Sequence, residues 1–496
     1  MSAPTTPWSW CRVAFWARMA CDAALLLNIA IILRPDLLGD DWQILVQSWT
    51  WDGARASLWQ PHNEHSMPLG RLSIWLMAQL AGKPTNVPLV MALQGPLAIV
   101  AAMVLVYLLV RRETGQPFPA LLAMTLFGVN THYQNAVAWF SASFTVLALD
   151  TLLLGLLAAQ RWRQTGRRRY LILSALWCAL APGWFATGVL AGPLCLLYLL
   201  APGTPDPGKP RQFLGWFLTL WPRLLATVRH AWLPALIPLL GTVVSLAITM
   251  PLNGKQIANL PRVEVEATAL ETFKPEVGLK YTCRAMVDDL IPGAAGFSEV
   301  TSSITVVNAV WVVFVLLGAW WWWQAPHPSL LLLGLGLIVV SYWLIYTGRA
   351  YFEYEGMHHW GRYHLFAHLG LVLFVCGGLP RRFVTWLSTA PGLAIDLGVA
   401  CLLVLLLLTQ FPRASGVGYD PQQYADLERV EGIDARCRKD HIAAATAKEA
   451  LGEFEIDGML GGEIDGRRLS GWDLLRGSND PLPMTVEEAR DLLGRK

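Results

Sequence analysis

Charge is scarce in this chain: Asp, Glu, Lys and Arg are 15% of its 496 residues, and 38 basic against 36 acidic side chains leave a formal net charge of +2. A chain so nearly neutral has no electrostatic footprint for a nucleic acid, and that class of partner is excluded. None of the eight cysteines forms a CxxC pair, so neither a zinc knuckle nor a redox motif is indicated. Six of them, Cys11, Cys21, Cys178, Cys195, Cys376 and Cys401, lie in or near apolar runs, where a thiol acts as a small hydrophobe. The HExxH pattern is absent, because in His62-Asn63-Glu64-His65 the Glu follows Asn and is itself followed directly by the second His. No solenoid repeat recurs, and no small-residue cleavage site follows the first apolar segment, which is read as an uncleaved span.

What the chain has in abundance is apolar sequence, 54% of residues, in runs of about twenty, the length a helix needs to cross roughly 30 Å of hydrocarbon. The runs are too long and too uniform for barrel strands, and backbone groups in lipid must pair within their own segment. The expected fold class is an all-α polytopic membrane protein. Candidate spans are 13–34, 87–110, 118–133, 139–160, 170–184, 185–201, 232–250, 304–324, 329–347, 363–379 and 393–411, about eleven in all.

Orientation follows from short basic loops: Arg111-Arg112, then Arg161 to Arg169, then Lys209 to Arg229, then Arg381-Arg382. The positive-inside rule makes all of these cytoplasmic without an extra crossing, so the N-terminus is expected inside and the C-terminus outside, in a bacterial inner (plasma) membrane. Trp320 to Trp323 then fall at a cytoplasmic span end, as an aromatic belt. The segment Pro68 to Gly82 is apolar but too short to span, and reads as a helix lying in the interface. Three loops share the outer face: 35–86, 252–303 and 348–362.

A polar tail joins them, which divides the chain into a membrane unit, 1–411, and a small extracytoplasmic domain, 412–496. The tail closes on Thr485-Val486-Glu487-Glu488, a capping-box start to a short amphipathic helix. Cys283 and Cys437 are the two thiols placed in outer polar segments, and a disulfide between them would tie the tail to the second loop.

Function is expected on that outer face. Asp40-Asp41 sit where the first span leaves the membrane, and Trp42, Ile44, Leu45 and Trp49 mark a helix lying flat on the surface. One acid suffices to cap such a helix; two leave one for chemistry. His62, Glu64 and His65 precede Arg71, whose planar fork at headgroup level suits a lipid-linked phosphate. The two His could also share a helix face. Arg362 at the start of a late span opposes the helix dipole, and is better placed to meet an anion than to stabilise the helix; Tyr363 follows it. His364 and His368 lie four apart. Asp288-Asp289 form a second acidic pair, read as a turn or cap, and Asp150, alone at membrane depth, calls for a partner on a neighbouring helix.

The acidic pair in a long first outer loop, the interfacial segments around it, Gly361-Arg362-Tyr363 at an outer-facing helix start and the polar tail together resemble the GT-C membrane glycosyltransferases, the superfamily of protein O-mannosyltransferases, aminoarabinose transferases and oligosaccharyltransferases. The resemblance is one of architecture over most of residues 1–411. It implies a sugar moved, with inversion, from a polyprenyl-phosphate-linked donor to an extracytoplasmic acceptor. It further implies Asp40 or Asp41 as the general base, Arg71 and Arg362 on the leaving phosphate, and His62, Glu64, His65 and Tyr363 shaping the pocket; no metal or other cofactor is expected. A tail WWDxG motif is absent, and Trp51-Asp52-Gly53 stands elsewhere, which speaks against protein N-glycosylation. Two other readings stay open: a transporter or flippase of a lipid-linked anion, using the same arginines, and an assembly protein whose tail binds a partner. The residues leave the donor sugar and the acceptor open.

Overall fold

The structure, a computed structural model, describes residues 15–16, 37, 39–62, 65–128, 130–133, 136, 139–201, 213–257, 274–294, 302–324, 327–349, 361–380, 398, 421–451, 463–464, 467–468 and 474–494. The chain is an all-α membrane protein. Among the described residues, four helices are long and apolar enough to cross a bilayer: Pro84–Thr114, Phe140–Thr165, Ala231–Thr249 and Pro328–Thr347. Four shorter apolar helices accompany them, Pro117–Gly128, Ala186–Leu200, Ile304–Gly318 and Leu365–Gly378.

The expected count of eleven is therefore not what length alone returns, and the reasons are local. Pro182-Gly183 breaks the run 170–201 into Arg168–Leu180, two 3-10 turns and Ala191–Leu200. The run 118–133 is helical only to Gly128 and then turns through Thr131–Tyr133. The spans expected at 13–34 and 393–411 lie, but for a few residues, outside the described ones.

Ahead of the membrane helices comes the interfacial layer: α1 (Gly39–Ser48), α2 (Trp51–Ser57), a two-residue hairpin of β1 (Pro61–His62) and β2 (His65–Ser66), and α3 (Pro68–Ala81). Helix α3 forms over the apolar segment that the sequence reads as too short to span. Pro68 opens it, where a missing N–H is no loss, and Gly82 at φ 71 closes it. Leu76 and Leu80, 49% and 66% exposed, form its outer face. The helix predicted from Trp42, Ile44, Leu45 and Trp49 forms as α1, but all four side chains are at most 1% exposed and pack inside the protein instead of presenting an apolar face to a membrane surface.

The main core is built by α4 (Gln94–Thr114), α5 (Pro117–Gly128), α6 (Ser143–Thr165), α7 (Arg168–Leu180), α8 (Ala191–Leu200), α9 (Phe213–Ile257), α10 (Pro275–Ala285), α11 (Ile304–Gln324), α12 (Pro328–Arg349) and α13 (Leu365–Gly378). Helices α12 and α13 approach so closely that a Cβ on Gly334 would lie 2.5 Å from the Gly370 carbonyl oxygen, and one on Gly370 2.6 Å from that of Gly334. Small residues at a crossing allow this backbone contact in lipid, where apolar burial gives no drive for association.

Basic and acidic groups divide between the ends of the bundle. At one end Glu113 accepts from Gln160 at 2.9 Å, from Tyr198 and from Ser329, while Arg163 donates to the Tyr198 carbonyl at 3.1 Å. At the other end lie Asp41, Trp139, His132, Asp289 and Arg362.

The tail contributes α14 (Pro421–Lys439), α15 (Ala444–Leu451) and α16 (Val486–Gly494). The predicted capping box forms: Glu488 N–H donates to Thr485 Oγ1 at 3.2 Å, and Thr485 N–H to Glu488 Oε2 at 2.8 Å. Leu427, Val430, Ile433 and Cys437 share one buried cluster with Trp42, Leu45 and Trp49 of α1. Lys83 and Thr85 hold Glu431, and Arg476 donates to the Ala78 carbonyl at 3.1 Å. Cys283 and Cys437 are free, buried in different clusters, so the disulfide between them is not made.

Candidate functional site

Helix α1 carries the acidic pair at its N-terminal end. Asp40 is its second residue. Asp41 is fully buried, and its Oδ1 accepts hydrogen bonds from the Ser141 backbone N–H at 2.8 Å and from the Ser141 hydroxyl. Ser141 belongs to the 3-10 turn Phe140–Ala142 that leads into α6. Asp41 thus joins the surface helix to the start of a membrane helix far along the chain.

Two residues before Ser141, the extended Trp139 presents its ring to Arg362, whose guanidinium carbon lies 4.2 Å from the ring centroid. The same guanidinium lies 5.2 Å from the ring of Tyr363. Arg362 and Tyr363 are 8% and 7% exposed, within the turn Gly361–Tyr363 that precedes α13. A cation between two aromatic rings, shielded from water, is held by the negative faces of both. Two residues of separation keep Ser141 and Trp139 within about 7 Å, so one short wall, residues 139–141, anchors both the buried carboxylate and the buried guanidinium.

Arg71 lies on the same interfacial layer. It is 1% exposed, and among the described residues its one side-chain partner is the Gln47 carbonyl oxygen, 2.7 Å from Nη1, while Nε has none. Burial lowers its pKa to about 10, which still leaves the cation charged. Gln47 is on α1, about 9 Å along the axis from Asp41. Burying a cation without a carboxylate is costly, and an anion arriving from outside the chain would offset that.

Behind Arg362 lies a second polar group. His132 lies against His364 and His368, tilted by 35° and 59° with ring centroids 5.2 and 5.3 Å apart, and His364 Nδ1 meets the Tyr342 hydroxyl at 2.9 Å. His368 Nε2 meets the Leu126 carbonyl at 2.8 Å, so both histidines of the four-residue pair serve the packing of α13. Gly293 admits the His132 ring, since a Cβ there would lie 2.2 Å from it. Among the described residues no three His, Cys, Asp or Glu gather as metal ligands.

Of the second acidic pair, Asp288 accepts from Arg284 at 3.3 Å and from the Ser302 N–H at 3.1 Å, the turn-stabilising role expected of it. Asp289, 4% exposed, faces Tyr281. Burial first, then the charges of Asp289 and Tyr363, raise the Tyr281 phenol above its ordinary value. Asp150 is buried, but its expected partner is not found among the described residues, and its Oδ1 makes no hydrogen bond.

The structure puts Arg362 against Tyr363 and Trp139, Asp41 against Ser141, and Arg71 against Gln47 of the helix that carries Asp41. It does not set His62 and His65 on a helix. They pair across the antiparallel β1–β2 ladder, in which Pro61 lies opposite Ser66 and His62 opposite His65. His62 is buried, and Glu64 lies outside the described residues. Trp139, Ser141, Gln47 and His132 were not singled out from the sequence. The signal that could have found them is the alternation of spans, which puts the link 129–142 on the same side as Asp41 and Arg362.

No protein-family model matches the chain, and no curated protein does. Among solved structures it is similar to the oligosaccharyltransferase of Archaeoglobus fulgidus. The apo form aligns at 15% identity and a TM-score of 0.42 over 85% of this chain and 57% of that one. The complex with zinc and sulfate aligns at 15% identity and a TM-score of 0.44 over 92% and 60%. The complex with an inhibitory peptide and a dolichol-phosphate aligns at 14% and 0.38 over 85% and 57%. This chain spans 57–60% of the length of those proteins, and a correspondence so loose transfers no residue's role.

Proposed function

We propose that the protein is a membrane glycosyltransferase that moves a sugar from a polyprenyl-phosphate donor to an extracytoplasmic acceptor. The observation that supports it is the pairing of opposites on one interfacial layer: Asp41, a buried carboxylate, and Arg71, a buried cation with no carboxylate partner among the described residues. A glycosyl transfer at the membrane surface needs both. An acceptor hydroxyl must lose a proton as it attacks the anomeric carbon, and a carboxylate of the Asp40-Asp41 pair takes it. The bond from that carbon to the phosphate oxygen breaks as the new bond forms, inverting the centre. The departing phosphate gains charge, which Arg71 and Arg362 meet with fixed donors in a site screened from water. His62, Glu64 and His65 border the sugar, and Tyr363 braces Arg362.

In this reading residues 1–411 form the membrane unit and 412–496 the extracytoplasmic tail domain, the N-terminus is cytoplasmic, and the membrane is a bacterial inner membrane. The chemistry proposed involves no metal. One observation favours the alternative of a transporter or flippase: Asp150, buried within α6 with an oxygen that makes no hydrogen bond, suits proton coupling.

Release of polyprenyl phosphate separates the two. The purified protein in nanodiscs, given a set of polyprenyl-phosphate hexoses and crude envelope acceptors, should liberate polyprenyl phosphate, the product common to every donor sugar. Movement of the intact donor across the bilayer with no release would establish the transporter instead.

A further inference from the structure

A second cavity lies apart from the Asp41–Arg362 wall, between the tail and the interfacial helices, with a volume of about 520 Å³. That is within the roughly 300–1,000 Å³ of small-molecule sites. Its floor is aromatic. Trp51 and Trp75 lie with ring centroids 4.9 Å apart at 59°, and Trp49 carries the Arg476 guanidinium 4.3 Å above its ring. The rim is neutral and hydrogen-bonding: Thr50, Gln79, Ser478 and Asn479.

Charge in the cavity has a definite sign. Arg438 and Arg476 both line it, and Asp434 behind them takes two hydrogen bonds from Arg438 and one from the Arg476 backbone N–H. Among the described residues, the two lining cations against this one carboxylate leave a net charge of +1. Arg476 is held by Trp49 and the Ala78 carbonyl, and burial, then Arg438, lowers its pKa against the pull of Asp434.

We infer that this cavity binds an anionic saccharide, a short glycan carrying a carboxylate or phosphate. The C–H face of a pyranose bears partial positive charge and lies well on the negative face of an indole, which Trp51 and Trp75 offer. Ring hydroxyls find the amides and hydroxyls of the rim, and the acid group finds the surplus arginine. Among the described residues no aliphatic side chain lines the cavity, which gives a lipid tail no groove there to follow. The gap between tail and α3 supplies a place for the acceptor to dock before transfer. That role rests on the transferase reading; the binding does not.

The test is calorimetry with the full-length protein in detergent, using tetragalacturonate and glucose 6-phosphate as charged probes and maltotetraose as the neutral one. Saturable binding of a charged probe is expected, weaker by about tenfold or more for maltotetraose, for Arg476→Gln and for Trp51→Ala. Trp51 is 51% exposed, so its replacement leaves the fold intact. The inference fails if neither charged probe binds, if maltotetraose binds as well, or if both variants bind like the parent. Displacement of a charged probe by phosphatidylglycerol, with the same dependence on the two variants, would make this a lipid headgroup site and overturn the saccharide. Loss of binding with polyprenyl phosphate release intact removes this inference alone; binding without release removes the transferase reading alone.

Discussion

Replacing Asp41 by Asn and by Ala separates two jobs that its position allows. Asn keeps an acceptor oxygen for the Ser141 N–H and hydroxyl and removes the charge; Ala keeps neither. Leaving a buried donor unsatisfied costs about 1–3 kcal/mol, so Asp41→Ala should lower thermal stability by that order, through the loosened joint between α1 and the start of α6. Asp41→Asn should melt close to the parent. Activity divides differently. If the pair supplies the base, Asp41→Asn or Asp40→Asn should slow polyprenyl phosphate release by about a hundredfold or more, roughly 2.7 kcal/mol in barrier. Melting curves and release rates on the same preparations decide it. Full release rates from both Asn variants, with parent-like melting, would refute the reasoning and leave Asp41 as a cap.

Arg362→Gln removes the cation, held on Trp139 and Tyr363, that meets the charge gained by the departing phosphate, and kcat for polyprenyl phosphate release should fall by about a hundredfold, roughly 2.7 kcal/mol in barrier, with a smaller change in KM. Arg362→Lys should recover only part, since an ammonium lacks the planar stack. Gly477→Ala places a Cβ 2.4 Å from the Ala444 nitrogen at φ 62, and should destabilise the tail by about 1–3 kcal/mol, read as faster hydrogen exchange in 421–451. The Thr485 backbone N–H, then its hydroxyl, lower the Glu488 pKa, so the capping box supports α16 above the ordinary carboxylate value and loses that support as the pH falls through the lowered one. Exchange protection over 486–494 should therefore drop in acid for the parent, drop less in Thr485→Ala, which keeps the backbone N–H, and be flat with pH in Glu488→Gln.

What could be read from the sequence was whatever a single segment states about itself. Apolar length marks membrane helices; Pro68 and Gly82 bracket α3; Thr485 and Glu488 announce their own bond. Asp41 and Arg362 were visible because a charge at a span boundary needs a reason. Their neighbours were not, because Ser141 and Trp139 are ordinary residues whose meaning comes from a partner a hundred residues away. The histidines of the first loop were misread for the opposite reason: spacing allowed a shared helix face, but His62 and His65 lie opposite each other in a short antiparallel ladder that opens at Pro61. Cys283 and Cys437 share an outer, polar sequence context, yet each is consumed by a different apolar cluster, which spacing along the chain does not reveal.

The close crossing of α12 and α13 has a bearing on the wall above it. Gly334 and Gly370 set the two backbones in contact about 12 Å below Tyr342 and about 9 Å below His364, along their respective axes. The two helices act as a pair of tongs with its rivet in the hydrocarbon, and the Tyr342–His364 bond is at the tips. Widening the rivet by one methyl group must splay the tips, so the aim of Arg362, just before His364 in the chain, is governed by a contact that no substrate touches.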